Sequence, residues 1–432
     1  MNNRFDSIFN LSEDQAIALL QTPREQLQDG SDRYIAASQL AKFPSERTIA
    51  ALIDAANNPD DHLDNRIVRR KALESLGRLN AMDALPTMKA CLSSEDCYIV
   101  ENAVWAIGEL GSSDRTALSD ELLNAVAQVL EKPEQSYRVV IHALGKFGYT
   151  PALNQIKPFT QSEDETIKSA AIATMYRLTG DDSHMPQVVE LLQHTSVNAR
   201  RGCIQDLIDT QYYDAIPNIA RSPVSVAFRL RGIRLLAESA LKAGHLTFEA
   251  IALSLDKVVR DHPQDIEMVH EYDQKPSLDF LINELYETDL GRCYLATQTL
   301  IEEYPNEAPA AVMATYQAKA HHDYGGHYHV MKLLGWLKYE PGYDVLLNDA
   351  LNNEEPQFQK SRMGAAIALG ELGDPRSISH LKKGLESKAW NLKYASLLAL
   401  KILENNKEWL ADIGNIGEKD ALITAKVSSF HA

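Results

Sequence analysis

The stretch Arg66-Ile-Val-Arg-Arg-Lys-Ala-Leu-Glu-Ser-Leu-Gly-Arg-Leu79 decides how this chain folds. Ile67, Val68, Leu73, Leu76 and Leu79, with small Ala72 among them, recur at helical spacing and make one broad apolar face. Gly77 lets a neighbouring helix come close near the end. The pattern returns at Tyr98-Ile-Val-Glu-Asn-Ala-Val-Trp-Ala-Ile-Gly-Glu-Leu110, with Ala103 for Ala72 and Gly108 for Gly77, a shift of 31 residues. A helix repeated at such a period means a solenoid, because no single unit buries its apolar face alone.

Further copies align on Val140, Ala171, Gly202 and Gly232 at intervals of 30 to 37 residues, and later on Ala296, Val330, Ala365 and Ala395. Between copies, Pro86, Pro186 and Pro217 open partner helices, where a missing N–H costs nothing. Two helices per repeat predict an all-α, HEAT-like α-solenoid, a right-handed superhelix of helix pairs in one curved array. The expected layout is a helical leader at 1–30, a first arc at 31–243, an irregular helical insertion at 244–290, a second arc at 291–409 and a tail at 410–432. Within the insertion no copy is clear, which predicts a bend or a helix laid across the array. The tail loses the period and reads as a frayed cap.

The formal net charge of −17 over 432 residues argues against nucleic-acid or anionic-membrane binding, since both need a positive field. No apolar run suggests a membrane span, and the start lacks a signal-peptide pattern. Cys91, Cys97, Cys203 and Cys293 form no C-x-x-C pair and read as free thiols in a reducing, cytoplasmic setting, with no metal expected.

No Walker, G-x-S-x-G, H-E-x-x-H or dinucleotide fingerprint is present, so any chemistry must come from side chains gathered on the inner face. The positions before the aligned small residues hold Arg69, Arg70, Glu101, Arg138, Arg200, Arg201, Arg229, Arg231 and Tyr328. A structural ladder of Arg–Asp bonds accounts for single arginines in such repeats. The doubled pairs leave one of Arg69/Arg70 and one of Arg200/Arg201 for a carboxylate, which Arg grips with two N–H groups. His321-His-Asp-Tyr-Gly-Gly-His-Tyr-His329 holds four of the thirteen histidines in a stretch read as a Gly-hinged loop. A proton-handling site, an exposed loop, a metal cluster and capping contacts are all open readings there. Trp105 and Trp336 read as core, or as walls for a flat ligand.

The repeats Val68–Gly77 and Tyr98–Gly108, the leader Arg4-Phe-Asp6, Asp32-Arg-Tyr-Ile-Ala-Ala37 and Asp64-Asn-Arg-Ile-Val-Arg-Arg70 together resemble the E/F-type phycobilin lyases of cyanobacteria, over about residues 1–405. Among these, the long phycoerythrin lyases and lyase-isomerases are most similar. The resemblance implies a carbon–sulfur bond-forming lyase with no resident cofactor. Its substrate would be the linear tetrapyrrole phycoerythrobilin, joined to a cysteine of a phycoerythrin α subunit, with or without isomerisation to phycourobilin and with or without a second lyase subunit. In that reading Arg69, Arg70, Arg138, Arg200 and Arg201 hold propionates, while Glu101 or Asp206 accepts pyrrole N–H groups. Trp105 and Tyr328 would wall the rings, and His321, His322 and Tyr324 would supply the proton that completes addition. A non-catalytic adaptor or chaperone for a phycobiliprotein or another protein is the alternative.

Overall fold

The computed structural model describes residues 10–27, 29–114, 116, 118–403 and 419–431. Every regular element among them is helical, and none is a strand. None of the described helices is long and apolar enough to cross a membrane. The leader residues Arg4–Asp6 lie outside the described residues. The chain divides into two compact units, residues 1–185 and 186–432.

The first unit holds α1 (Glu13–Gln21), α2 (Asp32–Leu40), α3 (Glu46–Ala56), α4 (Leu63–Arg78), α5 (Leu85–Cys91), α6 (Cys97–Ser113), α7 (Asp120–Gln128), α8 (Tyr137–Lys146), α9 (Leu153–Ile156) and α10 (Glu165–Thr179). The second helices of successive pairs, α2, α4, α6, α8 and α10, lie side by side, and each also packs on a partner helix. Ser12 starts α1 with a capping box, its hydroxyl accepting from Gln15 N while the Gln15 side chain accepts from Ser12 N. Where α4 crosses α6, a Cβ on Gly77 would stand 2.9 Å from Ala106 Cα, so the glycine lets the two backbones touch. Gly108 does not repeat that role, for nothing lies within 4 Å of its Cβ position. In α6 the close approach falls one turn later, where Gly111 faces Phe147 and Leu118.

The second unit begins with α11 (Met185–Glu190), which straddles its boundary. Then come α12 (Val197–Asp209), α13 (Ile216–Arg221), α14 (Val226–Ala243), α15 (Phe248–Arg260), α16 (Leu278–Glu284), α17 (Leu290–Glu303), α18 (Ala308–Ala318) and α19 (Tyr324–Trp336). After a π-helical segment (Val345–Leu351) follow α20 (Gln359–Leu372), α21 (Ser377–Gly384), α22 (Trp390–Leu403) and α23 (Ala421–His431). Helices α19, α20 and α22 stack as neighbours, with Gly335 set against Ala368 and Gly370 against Ala399. The turns after α4, α8, α12 and α19 share one chemistry. A residue at positive φ (Asn80, Gly148, Gln211 or Lys338) is followed by one whose N–H reaches back five residues, as in Ala81 N to Leu76 O at 3.1 Å and Tyr339 N to Leu334 O at 3.0 Å. This is the Schellman closure that satisfies the last helical carbonyls.

The break in the repeat contains α15, which packs against α20, α22 and α23, helices that come much later in the chain, as far as the 170 residues between Asp256 and Lys426. The inserted segment thus lays a helix across later repeats of its own unit. Residues 419–431 are not frayed. Lys426 of α23 is buried and bonds both oxygens of Asp256 at 2.7 Å, Tyr394 donates to the same carboxylate at 2.7 Å, and Arg234 holds Asp420 at 2.7 Å. An ion pair made by a buried lysine, with an added phenol bond, fixes a helix that carries no repeat signature of its own.

Candidate functional site

Four arginines at helix starts reach back to the end of a preceding helix. Arg33, Arg69, Arg229 and Arg362 donate to the carbonyls of Leu20, Ala56, Ala220 and Leu351 at 3.0 to 3.2 Å. Each thereby satisfies a terminal carbonyl that the helix cannot satisfy itself. In the first unit Arg66 and Arg70 both bond Asp96 at 2.7 Å, and Arg70 lies over the Tyr98 ring at 4.5 Å. Glu101 accepts from Ser136 at 2.6 Å, Arg138 donates to Thr166 O, and Trp105 packs against the core beside Gly77. These five sequence-predicted positions are thus engaged in packing the helices on one another, Arg69 within its own pair and the others toward the next.

In the second unit the doubled pair Arg200/Arg201 splits. Arg200 is fully buried and bonds His194 O, Thr195 O and Asp289. Arg201 has no carboxylate or carbonyl partner among the described residues and lies 5.4 Å over Phe228, a ring left 41 % exposed. Arg231, exposed beside them, donates to the Gln205 amide at 2.7 Å. Arg201, Phe228 and Arg231 therefore make an open cation–aromatic patch on α12 and α14. Asp206 is fully buried on the other side of α12.

The His321–His329 stretch is not a loop. Asp323 caps α19, accepting from Gly325 N at 3.0 Å and Gly326 N at 2.6 Å, so Tyr324 to His329 form its first turns. Gly326 is needed there because the Tyr286 ring occupies the space a Cβ would take, at 2.4 Å. His321 and His322 sit in the turn before it with rings 4.0 Å apart, and His321 Nδ1 pairs with Tyr316 O at 3.0 Å. Tyr324 is 63 % exposed. His327 is buried against Phe358 at 4.6 Å, and burial pushes its pKa down to about 4. His329 is fully buried with neither ring nitrogen partnered, and burial holds it neutral. Among the described residues no group of three His, Cys, Asp or Glu side chains is placed to hold a metal ion.

One turn below Tyr324 lies a buried charge cluster that the periodic reading passed over. Asp261 follows α15 in a left-handed conformation, φ 51°, and is inaccessible to solvent. Its carboxylate accepts from Arg229, from Tyr294 at 2.9 and 3.1 Å, from Tyr328, and from Lys332 at 2.6 Å. Burial works against its charge, but Lys332 and Arg229 outweigh it and hold the carboxyl well below the usual range. Burial pulls Lys332 down to about 8 against the opposing pull of Asp261. The Lys332 ammonium also lies over the rings of Tyr328, Tyr294 and Trp336 at 4.4 to 4.9 Å. Lys360 of α20 connects this cluster to the surface. Its ammonium is 5.0 Å from the Tyr328 ring and 5.3 Å from that of Tyr324, with no acceptor among the described residues. Burial lowers its pKa, with Asp261 opposing.

The site thus grades from an exposed phenol and two surface imidazoles, through an unpaired half-buried lysine, to a neutralised core. Such an arrangement suits an anion with a flat apolar body. Tyr328 belongs to the interior end and presents no surface. One signal for the cluster was in view, namely the single lysine in Val330-Met-Lys-Leu-Leu334, an otherwise apolar helical run. The partner Asp261 had none, since it lies in the segment without a repeat.

Comparison with known proteins gives consistent matches. A HEAT-repeat family profile matches residues 61–138, and a PBS lyase HEAT-like repeat profile matches residues 361–387. An uncharacterized phycocyanin operon protein Y of Pseudanabaena tenuis is 54 % identical over 400 residues, 93 % of this chain and 94 % of that protein. A bilin biosynthesis protein, CpeY, of a Synechococcus species is 31 % identical, covering 86 % of this chain and 89 % of its own length. A phycocyanobilin lyase subunit alpha of a Picosynechococcus species is 31 % identical over 252 residues, 56 % of this chain and 92 % of that subunit.

Proposed function

The chain belongs to the HEAT-repeat bilin lyase family, and from that premise we propose that it binds a linear tetrapyrrole and joins it to a cysteine of a phycobiliprotein subunit. The observation that carries the reading is Lys360, a half-buried cation with no acceptor, set between the rings of exposed Tyr324 and buried Tyr328. A bilin offers what such a place takes, since it has propionate carboxylates on a flat, apolar body. The open guanidinium of Arg201 beside Phe228 is a second grip of the same kind.

The reaction is an addition. The client thiolate bonds to the exocyclic carbon of the bilin's ethylidene group, the double bond opens, and the adjacent ring carbon takes a proton. The thiol's own proton balances the equation, so nothing leaves and nothing is oxidised. Cysteine is already nucleophilic, and the protein's part is to orient the bilin and deliver the proton. Tyr324 is the exposed donor, and His321 and His322 are the bases that recharge it. The bilin is phycoerythrobilin and the client a phycoerythrin α subunit. A further proton shift between ring carbons, served by the same phenol, would give phycourobilin. A second lyase subunit would be a working partner.

Co-production of the chain with a phycoerythrin α subunit and the enzymes of bilin synthesis tests this. Covalent, zinc-fluorescent pigment on the subunit is the expected result, and the absorbance of the product distinguishes attachment from isomerisation. Full yield and unchanged absorbance with Tyr324→Phe, His321→Ala, His322→Ala and Lys360→Ala would remove this site from the reaction. No pigment with the unaltered chain would favour an adaptor.

A further inference from the structure

In a chain of net charge −17, residues 380–393 run the other way, with four lysines and one histidine against a single glutamate. Of this run, His380, Lys383, Gly384, Glu386, Ser387, Lys388, Ala389 and Leu392 line one side of a groove of about 740 Å³ between the π-helical segment, the starts of α20 and α22, and α21. Its lining is mixed: Ala389 and the almost fully buried Leu351 and Leu392 contribute apolar atoms, and Glu354 and Glu386 stand among the polar side chains. Four basic side chains surround it. Arg362 uses Nε to cap Leu351 O at 3.0 Å and is paired only loosely, at 3.8 Å, with Glu354, a side chain that is 84 % exposed. The terminal nitrogens of Arg362 are thus available to the groove. His380 and Lys383, three residues apart on α21, and Lys388 in the turn before α22 have no ion-pair or hydrogen-bond partner among the described residues. Three or four residues apart is the spacing that brings helical side chains together on one face.

We infer that this groove is a second binding site, for an amphipathic small molecule that carries carboxylates. Its volume falls in the range of small-molecule pockets, roughly 300–1,000 Å³. Its chemistry is divided in the way such a ligand requires, with carboxylates on Lys383, Lys388 and the Arg362 fork and an apolar body along Ala389 and the aliphatic stems of those cations. Lys360 and Arg362 stand two residues apart at the start of α20, positions that point to different sides of a helix, so the groove is separate from the Tyr324 site. From the functional reading the inference takes only the pigment as the natural member of the ligand class. The groove would hold a bilin apart from the reacting position.

Titration of the full chain with biliverdin, a linear tetrapyrrole dicarboxylate, tests this, with inorganic phosphate as a competitor. Two biliverdin per chain are expected for the unaltered protein. The pair Lys383→Ala/Lys388→Ala should weaken one of them at least tenfold and leave pigment transfer unchanged. Both lysines are exposed, so thermal melting should not move. Arg201→Ala/Lys360→Ala should remove the other binding event, and its failure to do so would count against the functional reading alone. Unchanged stoichiometry and affinity in the Lys383/Lys388 variant would overturn the groove site, as would phosphate displacing the groove ligand at equal concentration, since that would leave the body of the ligand no role.

Discussion

Replacing Asp261 by asparagine keeps the size of the side chain and a residue type that tolerates positive φ, and removes one buried negative charge. In the folded chain that charge meets Arg229 and Lys332, both buried, and the phenols of Tyr294 and Tyr328. Arg229 keeps the carbonyls of Val224 and Ala220, but Lys332 is left with Asp261 O at 3.4 Å. Removing one partner of a buried pair costs about 3–5 kcal/mol, because a cation is stranded in the interior. The loss also has a pH signature. Lys332 stands at about 8 even with Asp261 pulling it up, so without the carboxylate its pKa falls below that value. A lysine with a depressed folded pKa binds fewer protons than the unfolded chain, and stability then rises with pH above the folded value. The unaltered protein gains in this way only above about pH 8. The variant begins earlier, so the gap between them should narrow by up to about 1.4 kcal/mol per pH unit below pH 8 and stay constant above it. Urea unfolding between pH 6 and 9, followed by tryptophan emission with Trp336 beside Lys332 as a reporter, measures both effects. Adding Lys332→Met to Asp261→Asn should recover a large part of the loss, since the stranded cation is gone. An Asp261→Asn loss within about 1 kcal/mol, or no recovery in the double variant, would refute the charge argument.

Other consequences follow from single positions. Arg200→Ala should cost stability, on the order of 3 kcal/mol in urea, because the carbonyls of His194 and Thr195 lose a fully buried donor, whereas Arg201→Ala should leave the unfolding midpoint alone and weaken biliverdin binding. Gly335→Ala brings a methyl group to 2.4 Å from Ala368 Cα and should cost about 1–3 kcal/mol in a thermal melt, with no equivalent loss for Gly108→Ala, which has open space. His327 is held neutral at about 4 when folded, against an unfolded value near 6.5. Its unfolded form therefore takes a proton first as the pH falls, and about 3 kcal/mol of stability should be lost between pH 6.5 and 4. Urea midpoints across that range should flatten in His327→Phe; an unchanged slope would assign the acid loss elsewhere.

Arg69, Arg70 and Arg200 show how far a sequence pattern carries. Their recurrence before each small residue marked a row at the helix starts, and the row exists. Its use could not be read from the pattern, because a carbonyl at the end of the preceding helix satisfies a guanidinium as well as a carboxylate does. The glycines of 325 and 326 suggested a hinge, yet a capping aspartate two positions earlier made them the first turn of a helix.

The sequence by itself determined the helical class, the repeat length and the faces that are buried, because each follows from residues within one period of one another. The tertiary structure alone decided which charged groups meet. Asp261 and Lys332 are 71 residues apart, Asp256 and Lys426 are 170 apart, and both carboxylates come from the one segment that lacks the repeat. A periodic pattern records how each helix packs on the next. It holds no record of where a helix inserted outside that pattern crosses the array, and that crossing sets which cations are neutralised in the core, as Lys332 and Lys426 are.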